Sequence, residues 1–354
     1  MALIDKLTAI GDAIREQTGE TALLTLDAMA VTIKNINFSK ITPINVVPDT
    51  ISSFTYDGTV KTPEWRNYDS EQLSISGTTS ATNAGIYTVY FTPKAGYSWA
   101  DESVDSKSVT WSLVKANGSL SLSATSGKII GKSNNTTTFT ITKAGDGAIS
   151  VQSSNTTIAT VAISGTTVTV TSKGYGTSTI TVSVAEGTNH TAPSNKTYSV
   201  TVDYLYLYNA GDENTSVTGG WQARAWRGSN AFSSSKAPTI TKNSGTMAIG
   251  FTAGYPGVAE TKKDINFKGF QKIYCRITKI SGGSDVNSKA RLSIVGRNET
   301  YYLTNSVANV TIESASTVSI NISGLSSTTS YDVVIGGAGG ASVYTVTVDK
   351  IWCE

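Results

Sequence analysis

The sequence predicts a mainly β protein with one short helical segment at its N terminus. Apolar residues recur at three- and four-residue spacing only within residues 1–36, whereas the rest of the chain is typical of short strands and turns. Threonine and serine are abundant, glycine occurs 32 times and proline only 7 times. That composition is typical of twisted sheets joined by tight turns.

The N-terminal segment, residues 1–38, carries the helical pattern in two runs. The first run is predicted to end at Thr18-Gly19, because glycine adopts the left-handed conformation that closes a helix. The apolar positions expected on one face of each run are Ile4, Leu7, Ile10 and Ile14 in the first and Leu26, Met29 and Ile33 in the second. A helical hairpin of this size cannot bury these faces by itself. We therefore expect it to dock on another surface or to assemble with copies of itself, for example as a trimer.

Three β-units follow the helical segment, at residues 39–116, 117–203 and 204–354. In the first unit, Ile86–Phe91 and Ser108–Leu113 alternate as strands do. Asn117-Gly118 marks its end. The third unit has long connections between its predicted strands, which favours a jelly-roll-like β-sandwich.

Composition and charge argue against several classes of partner. Lysine and arginine total 28 against 26 acidic residues, so the net charge of +2 gives no basic field for nucleic acid. No apolar run is long enough to cross a bilayer. Asp5, Asp12 and Arg15 interrupt the apolar region that a secretory signal would need, so we expect a protein made in a cytoplasm and not exported by that route. Cys275 and Cys353 are expected to be small buried hydrophobes, and their pairing stays open.

Residues for catalysis are scarce, which predicts a protein that is not an enzyme. The single histidine, His190, lies in a polar loop, and the chain lacks the ligands for a histidine–cysteine zinc site. The acidic residues of the third unit show no spacing that favours one pair for glycoside hydrolysis. The glycine run 336–340 has no following lysine or helix, so it does not indicate a phosphate-binding loop. No organic cofactor is expected.

Aromatic and arginine residues in the third unit are the candidate ligand-binding residues. Aromatic rings stack on the apolar faces of sugars, and arginine donates planar hydrogen bonds to hydroxyl or anionic groups. The alternative is that the two tryptophans are core residues of the sandwich. The candidates are Trp221, Arg224, Trp226, Arg227, Tyr255 and Tyr301.

Residues 117–203 carry a specific family resemblance. The segments Ser154–Val161, Gly165–Thr171 and Lys173–Val182 resemble the bacterial immunoglobulin-like family, group 2. Tyr56-Asp57-Gly58 and Asn83–Tyr87 are similar to another bacterial immunoglobulin-like type. These resemblances imply two immunoglobulin-like β-sandwiches in tandem.

The last predicted strand, Tyr344–Trp352, resembles the closing strand of many carbohydrate-binding jelly rolls. Such domains often hold one structural calcium ion between an early acid and an acid of the last strand. The resemblance therefore implies Asp212, Glu213 and Asp349 as candidate calcium ligands.

The leader Leu3–Arg15, with Thr18-Gly19 and Leu24–Met29, resembles a segment of tail, baseplate and fibre proteins from phages and prophages of Gram-positive bacteria. The resemblance implies a virion structural protein on the particle surface, with other virion proteins as partners and host surface polysaccharide as the target of the third unit. Two alternatives remain: a capsid decoration or head-fibre protein, and a component of a cell-wall hydrolase.

Overall fold

The predicted fold class is confirmed: the chain is mainly β and is built from β-sandwiches. The computed structural model describes residues 3–19, 25, 27–28, 41–225, 236–253, 257–283, 290–296, 306–337 and 342–354. No helix among these residues is long and apolar enough to span a bilayer.

The first predicted helix is present as α1, Leu3–Thr18. It ends as the sequence predicts, because Gly19 has a φ of +73° and its N–H donates to the carbonyl of Arg15 at 2.8 Å. Ile14 is buried and Leu7 half-buried, whereas Ile10 is 46% exposed. The backbone of Ile4 lies in α1, but its side chain is outside the described part. Leu26, Met29 and Ile33 of the predicted second helix also lie outside the described residues.

The first sandwich belongs to a compact unit that comprises residues 1–117 and 188–191. Its four-stranded sheet has the order β2-β6-β4-β3, and β1 pairs with β5. Phe91, Trp99 and Trp111 lie in its core. The short strands β7 and β15 pair in parallel, and Asn189 Oδ1 accepts from the Ala84 N–H at 2.8 Å, which ties residues 188–191 to this unit. The strands are β1 Thr42–Ile44, β2 Phe54–Thr55, β3 Leu73–Gly77, β4 Gly85–Pro93, β5 Tyr97–Trp99, β6 Lys107–Val114, β7 Ala116–Asn117 and β15 His190–Thr191.

The second sandwich packs two four-stranded sheets, with orders β12-β13-β10-β8 and β11-β14-β16-β9. Its core includes Phe139 stacked on Tyr198, with ring centroids 4.3 Å apart. Burial alternates along β13 and β14 with the period of two that is typical of strands with one face in the core. The strands are β8 Ser119–Leu122, β9 Ser126–Ile130, β10 Thr136–Ala144, β11 Ile149–Ser153, β12 Ala159–Ser164, β13 Thr167–Ser172, β14 Gly176–Val184 and β16 Lys196–Asp203.

The third sandwich packs a seven-stranded sheet on a five-stranded sheet. The seven-stranded sheet contains the path β18-β17-β28-β21-β20, with β23 between β28 and β26; the other has the order β19-β22-β27-β24-β25. One turn of helix, α2, spans Thr215–Thr218. The strands are β17 Leu205–Asn209, β18 Asp212–Glu213, β19 Trp221–Ala225, β20 Thr239–Asn243, β21 Thr246–Phe251, β22 Gly257–Thr261, β23 Lys272–Gly282, β24 Ala290–Gly296, β25 Ser306–Ile312, β26 Thr317–Asn321, β27 Tyr331–Gly337 and β28 Tyr344–Cys353.

The second and third sandwiches belong to one compact unit, residues 118–187 and 192–354, although each keeps its own hydrophobic core. Cys275 and Cys353 lie in the core of the third sandwich as free thiols. Their strands are paired neighbours, with Ile273 opposite Cys353 and Cys275 opposite Ile351. Complete burial raises the pKa of both thiols, which keeps them protonated and unreactive.

Candidate functional site

The five-stranded sheet of the third sandwich has one face in the core and one face directed away from it. Trp221, Ala259, Leu292 and Val333 lie in the core. Because successive side chains of a strand point to opposite faces, their neighbours along each strand form the outer face.

The outward residues form rows that cross all five strands. The register places Gln222, Glu260, Val334, Ser293 and Asn309 in one row and Arg224, Val258, Gly336, Arg291 and Thr311 in the next. Asp332 lies opposite Val295, one position along the same face. We call this surface the polar face, defined by Gln222, Arg224, Glu260, Arg291, Ser293, Asn309 and Asp332.

Glu260 lies within the first of these rows and is completely buried. Its Oε1 accepts from Gln222 Nε2 at 2.8 Å and forms an ion pair with Arg224, whose Nε lies 2.7 Å away. A buried carboxylate is costly unless it is paired and hydrogen-bonded, and these two contacts help to offset that cost. In return, the carboxylate fixes the amide of Gln222 and the guanidinium of Arg224 in place.

The polar face combines a buried floor with more accessible groups. Ser293 and Asp332 are buried, and so is the small apolar cluster of Val258, Val295 and Val334. The accessible groups are the Arg224 side chain, which is 44% exposed, half-buried Gln222 and Arg291, and exposed Asn309. Amide and guanidinium donors around carboxylate acceptors and methyl groups suit a ligand that is rich in hydroxyl groups.

The structure separates the predicted ligand-binding residues. Arg224 lies on the polar face, whereas Trp221 is a core residue and does not offer its ring for stacking. This is the alternative that the sequence left open for the tryptophan. The remaining candidates, Trp226, Arg227, Tyr255 and Tyr301, lie outside the described residues.

The predicted calcium ligands do not form a common site. Among the residues that the structure describes, no three histidine, cysteine or acidic side chains are placed to hold a metal ion. Asp349 accepts from Arg276 at 2.6 to 3.1 Å, and this pairing raises the pKa of the guanidinium. Glu213 pairs with Lys242 at 2.7 Å, and Asp212 is exposed. Side-chain cations thus neutralise two of the three acids.

Most residues of the polar face were not predicted from the sequence, and the reason is clearest in strand β22. Its residues are buried on both faces, so the strand shows no alternation, and glycine, alanine and glutamate are poor strand formers. Nothing in the sequence therefore distinguished Glu260 from the other acidic residues of the third unit. The available signal was the alternation of Gln222 and Arg224 in β19, which places both on one face.

No family model matches the chain, and comparison with curated proteins also finds no match. Among solved structures, a family 29 carbohydrate-binding module from Piromyces equi is 14% identical, with 43% of this chain and 89% of the module covered and a TM-score of 0.27. An I-band fragment of titin is 11% identical, with coverages of 62% and 92% and a TM-score of 0.30. Domains 4 and 5 of the surface-layer protein SbsC are 15% identical, with coverages of 44% and 96% and a TM-score of 0.22. Likenesses this weak carry no argument about function.

Replacing the buried carboxylate tests whether it organises the polar face. We expect Glu260→Leu to lower the free energy of unfolding by about 1–3 kcal/mol, because Gln222 and Arg224 lose their shared acceptor. The measurement is hydrogen exchange of the amides in β24 and β27. Glu260→Gln keeps an oxygen acceptor of the same shape and should cost less. A Glu260→Leu protein as stable as the unsubstituted chain would show that the carboxylate does not hold the face together.

Proposed function

We propose that this chain is a non-enzymatic structural protein of a virion, which docks through its N-terminal helices and displays the third sandwich for adhesion to host surface glycan. The observation that carries the adhesive part is the polar face, where Glu260 holds the donors of Gln222 and Arg224. Arg291 lies on the same face, in the row of Arg224 and three strands away from it. The virion part is supported by the resemblance of the leader to phage tail, baseplate and fibre proteins.

The chemistry of the polar face favours binding over catalysis. Arg224 and Gln222 direct their donors at the Glu260 carboxylate, so the three side chains form a fixed arrangement. Arginine offers five N–H donors in one plane, so a single contact to Glu260 leaves it suited to sugar hydroxyl groups as well. Each such contact is modest, and many copies on one particle would multiply the strength of attachment.

Helix α1 supports the docking part of the proposal. Its length of 16 residues is close to the lower limit at which an isolated helix is stable in water. Ile10 lies between Leu7 and Ile14 in the spacing of the predicted apolar stripe and is 46% exposed. An apolar stripe of this kind gains stability when a partner covers it.

Polysaccharide binding by the full chain tests the adhesive proposal. The full chain is applied to an array of immobilised neutral wall polysaccharides, teichoic acid and mucin. We expect at least one of these polymers to retain it. Arg224→Ala and Arg291→Ala should each weaken it about tenfold or more, since a hydrogen bond from a charged donor is worth about 1.5–3 kcal/mol. Arg66→Ala is the matched control, because Arg66 forms an exposed ion pair with Asp49 in the first sandwich. Absence of binding to every polymer would refute adhesion.

Incorporation into particles tests the virion proposal. Ile10→Asp with Ile14→Asp places charge on the apolar face of α1, so we expect the variant to be lost from purified virions while its glycan binding is retained. Glu16→Gln, at an exposed position of the same helix, is the control. Antibody labelling in electron micrographs then locates the chain. Label at the tail tip agrees with the proposal, label on the capsid favours a decoration or head fibre, and virions free of the chain contradict both.

A further inference from the structure

Five aromatic rings run from the second sandwich onto the outer face of the seven-stranded sheet. Tyr175 stacks on Tyr204 with ring centroids 3.9 Å apart, and Tyr204 meets the edge of Tyr206 at 6.0 Å. Tyr206 lies opposite Trp352 on the neighbouring strand, and Trp352 stacks on Tyr274 at 5.0 Å with the ring planes 10° apart. Aromatic pairs in such geometries add about 0.5–1.5 kcal/mol each beyond their buried area.

Two lysines and one carboxylate extend this row. Lys350 Nζ lies 4.7 Å from the ring centroid of Tyr206 and 5.0 Å from that of Trp352. Lys132 Nζ of the second sandwich lies 5.3 Å from the Tyr175 ring and 2.7 Å from Glu354 Oε1 of the third. Ammonium groups over aromatic faces are attracted by the ring quadrupole. We call these eight residues the junction cluster: Lys132, Tyr175, Tyr204, Tyr206, Tyr274, Lys350, Trp352 and Glu354.

Glu354 is contacted by the third sandwich as well as by Lys132. Its carbonyl accepts from the N–H groups of Gln271 and Lys272, at 2.6 and 3.1 Å. Its carboxylate also accepts from the Tyr274 hydroxyl, and Lys132 holds the pKa of that carboxyl below its ordinary value. The contact to Lys132 therefore joins the second sandwich to a residue that cannot move independently of the third.

A second contact lies beside the junction cluster. The Ser133 hydroxyl donates to the carbonyl of Gly269 at 2.7 Å. Gly131 has a φ of +83°, and a Cβ there would lie 3.4 Å from the ring of Phe270, so the two sandwiches approach each other closely at this point. The chain connection is equally tight, because Tyr204 is the one residue between β16 and β17.

From these contacts we propose that the second and third sandwiches move as one rigid body, locked by the junction cluster. The second sandwich then fixes the direction in which the polar face points, instead of acting as a flexible spacer. Two independent cores joined by a short peptide alone would reorient freely. Aromatic stacking, a charged hydrogen bond and a one-residue connection together remove that freedom. This inference concerns orientation and stands whether or not the polar face binds glycan.

Distance measurements between spin labels test the proposal on the full chain. Labels on Thr138→Cys in β10 and Thr317→Cys in β26 report on the two sandwiches, since both positions are exposed. Native Cys275 and Cys353 are completely buried and should not be labelled. We expect one narrow distance distribution, which Tyr175→Ala or Lys132→Ala should broaden about twofold by releasing slow domain motion.

Lys107→Ala is the matched control, because Lys107 also pairs with a carboxylate, Asp101 at 3.0 Å, and lies 5.1 Å from the ring centroid of Trp99. It should leave the distribution unchanged. Glu354→Gln, which keeps the side-chain shape, covers the case in which Tyr175→Ala does not fold. A broad distribution in the chain with an intact junction cluster overturns the proposal. So does a distribution that stays narrow in Lys132→Ala and Glu354→Gln alike.

Discussion

The third sandwich is built around strand β28, which pairs with three other strands. One of its edges pairs with β23 along its whole length, while the other pairs first with β21 and then with β17. Its inward residues, among them Val346, Val348 and Ile351, are buried in the core. Its outward residues Lys350 and Trp352 belong to the junction cluster. The same strand therefore closes the core and carries the contact to the second sandwich, so loss of its pairing would remove both.

The same core also positions the polar face, which lies on the other sheet of the sandwich. The five-stranded sheet packs its apolar face on the seven-stranded sheet, which leaves the other face for Glu260 and its two donors. A buried carboxylate in a rigid strand positions Arg224 more accurately than a loop could. If the junction cluster also fixes the orientation of this sandwich, the face would be presented in one direction relative to the second sandwich.

How much the sequence predicts depends on whether a strand has one buried face or two. Strands β4 and β6 alternate and were predicted from that pattern, and the glycine that ends α1 was recognised from its conformational role. Strand β22 is buried on both faces and gave no such pattern. The candidate calcium acids have suitable places in the chain, but Arg276, which pairs with Asp349, lies 73 residues away. Pairing over that distance is a property of the fold, so composition and spacing could not reveal it.

Methyl NMR of the full chain can detect contact between the polar face and glycan. Val258, Val295 and Val334 form a cluster on that face, whereas Val168 and Val170 lie in the core of the second sandwich. On titration with soluble oligosaccharides from Gram-positive cell walls, we predict shifts of the first three valines with the last two unchanged. Shifts confined to the second sandwich, or none at saturating oligosaccharide, would show that glycan does not bind the polar face.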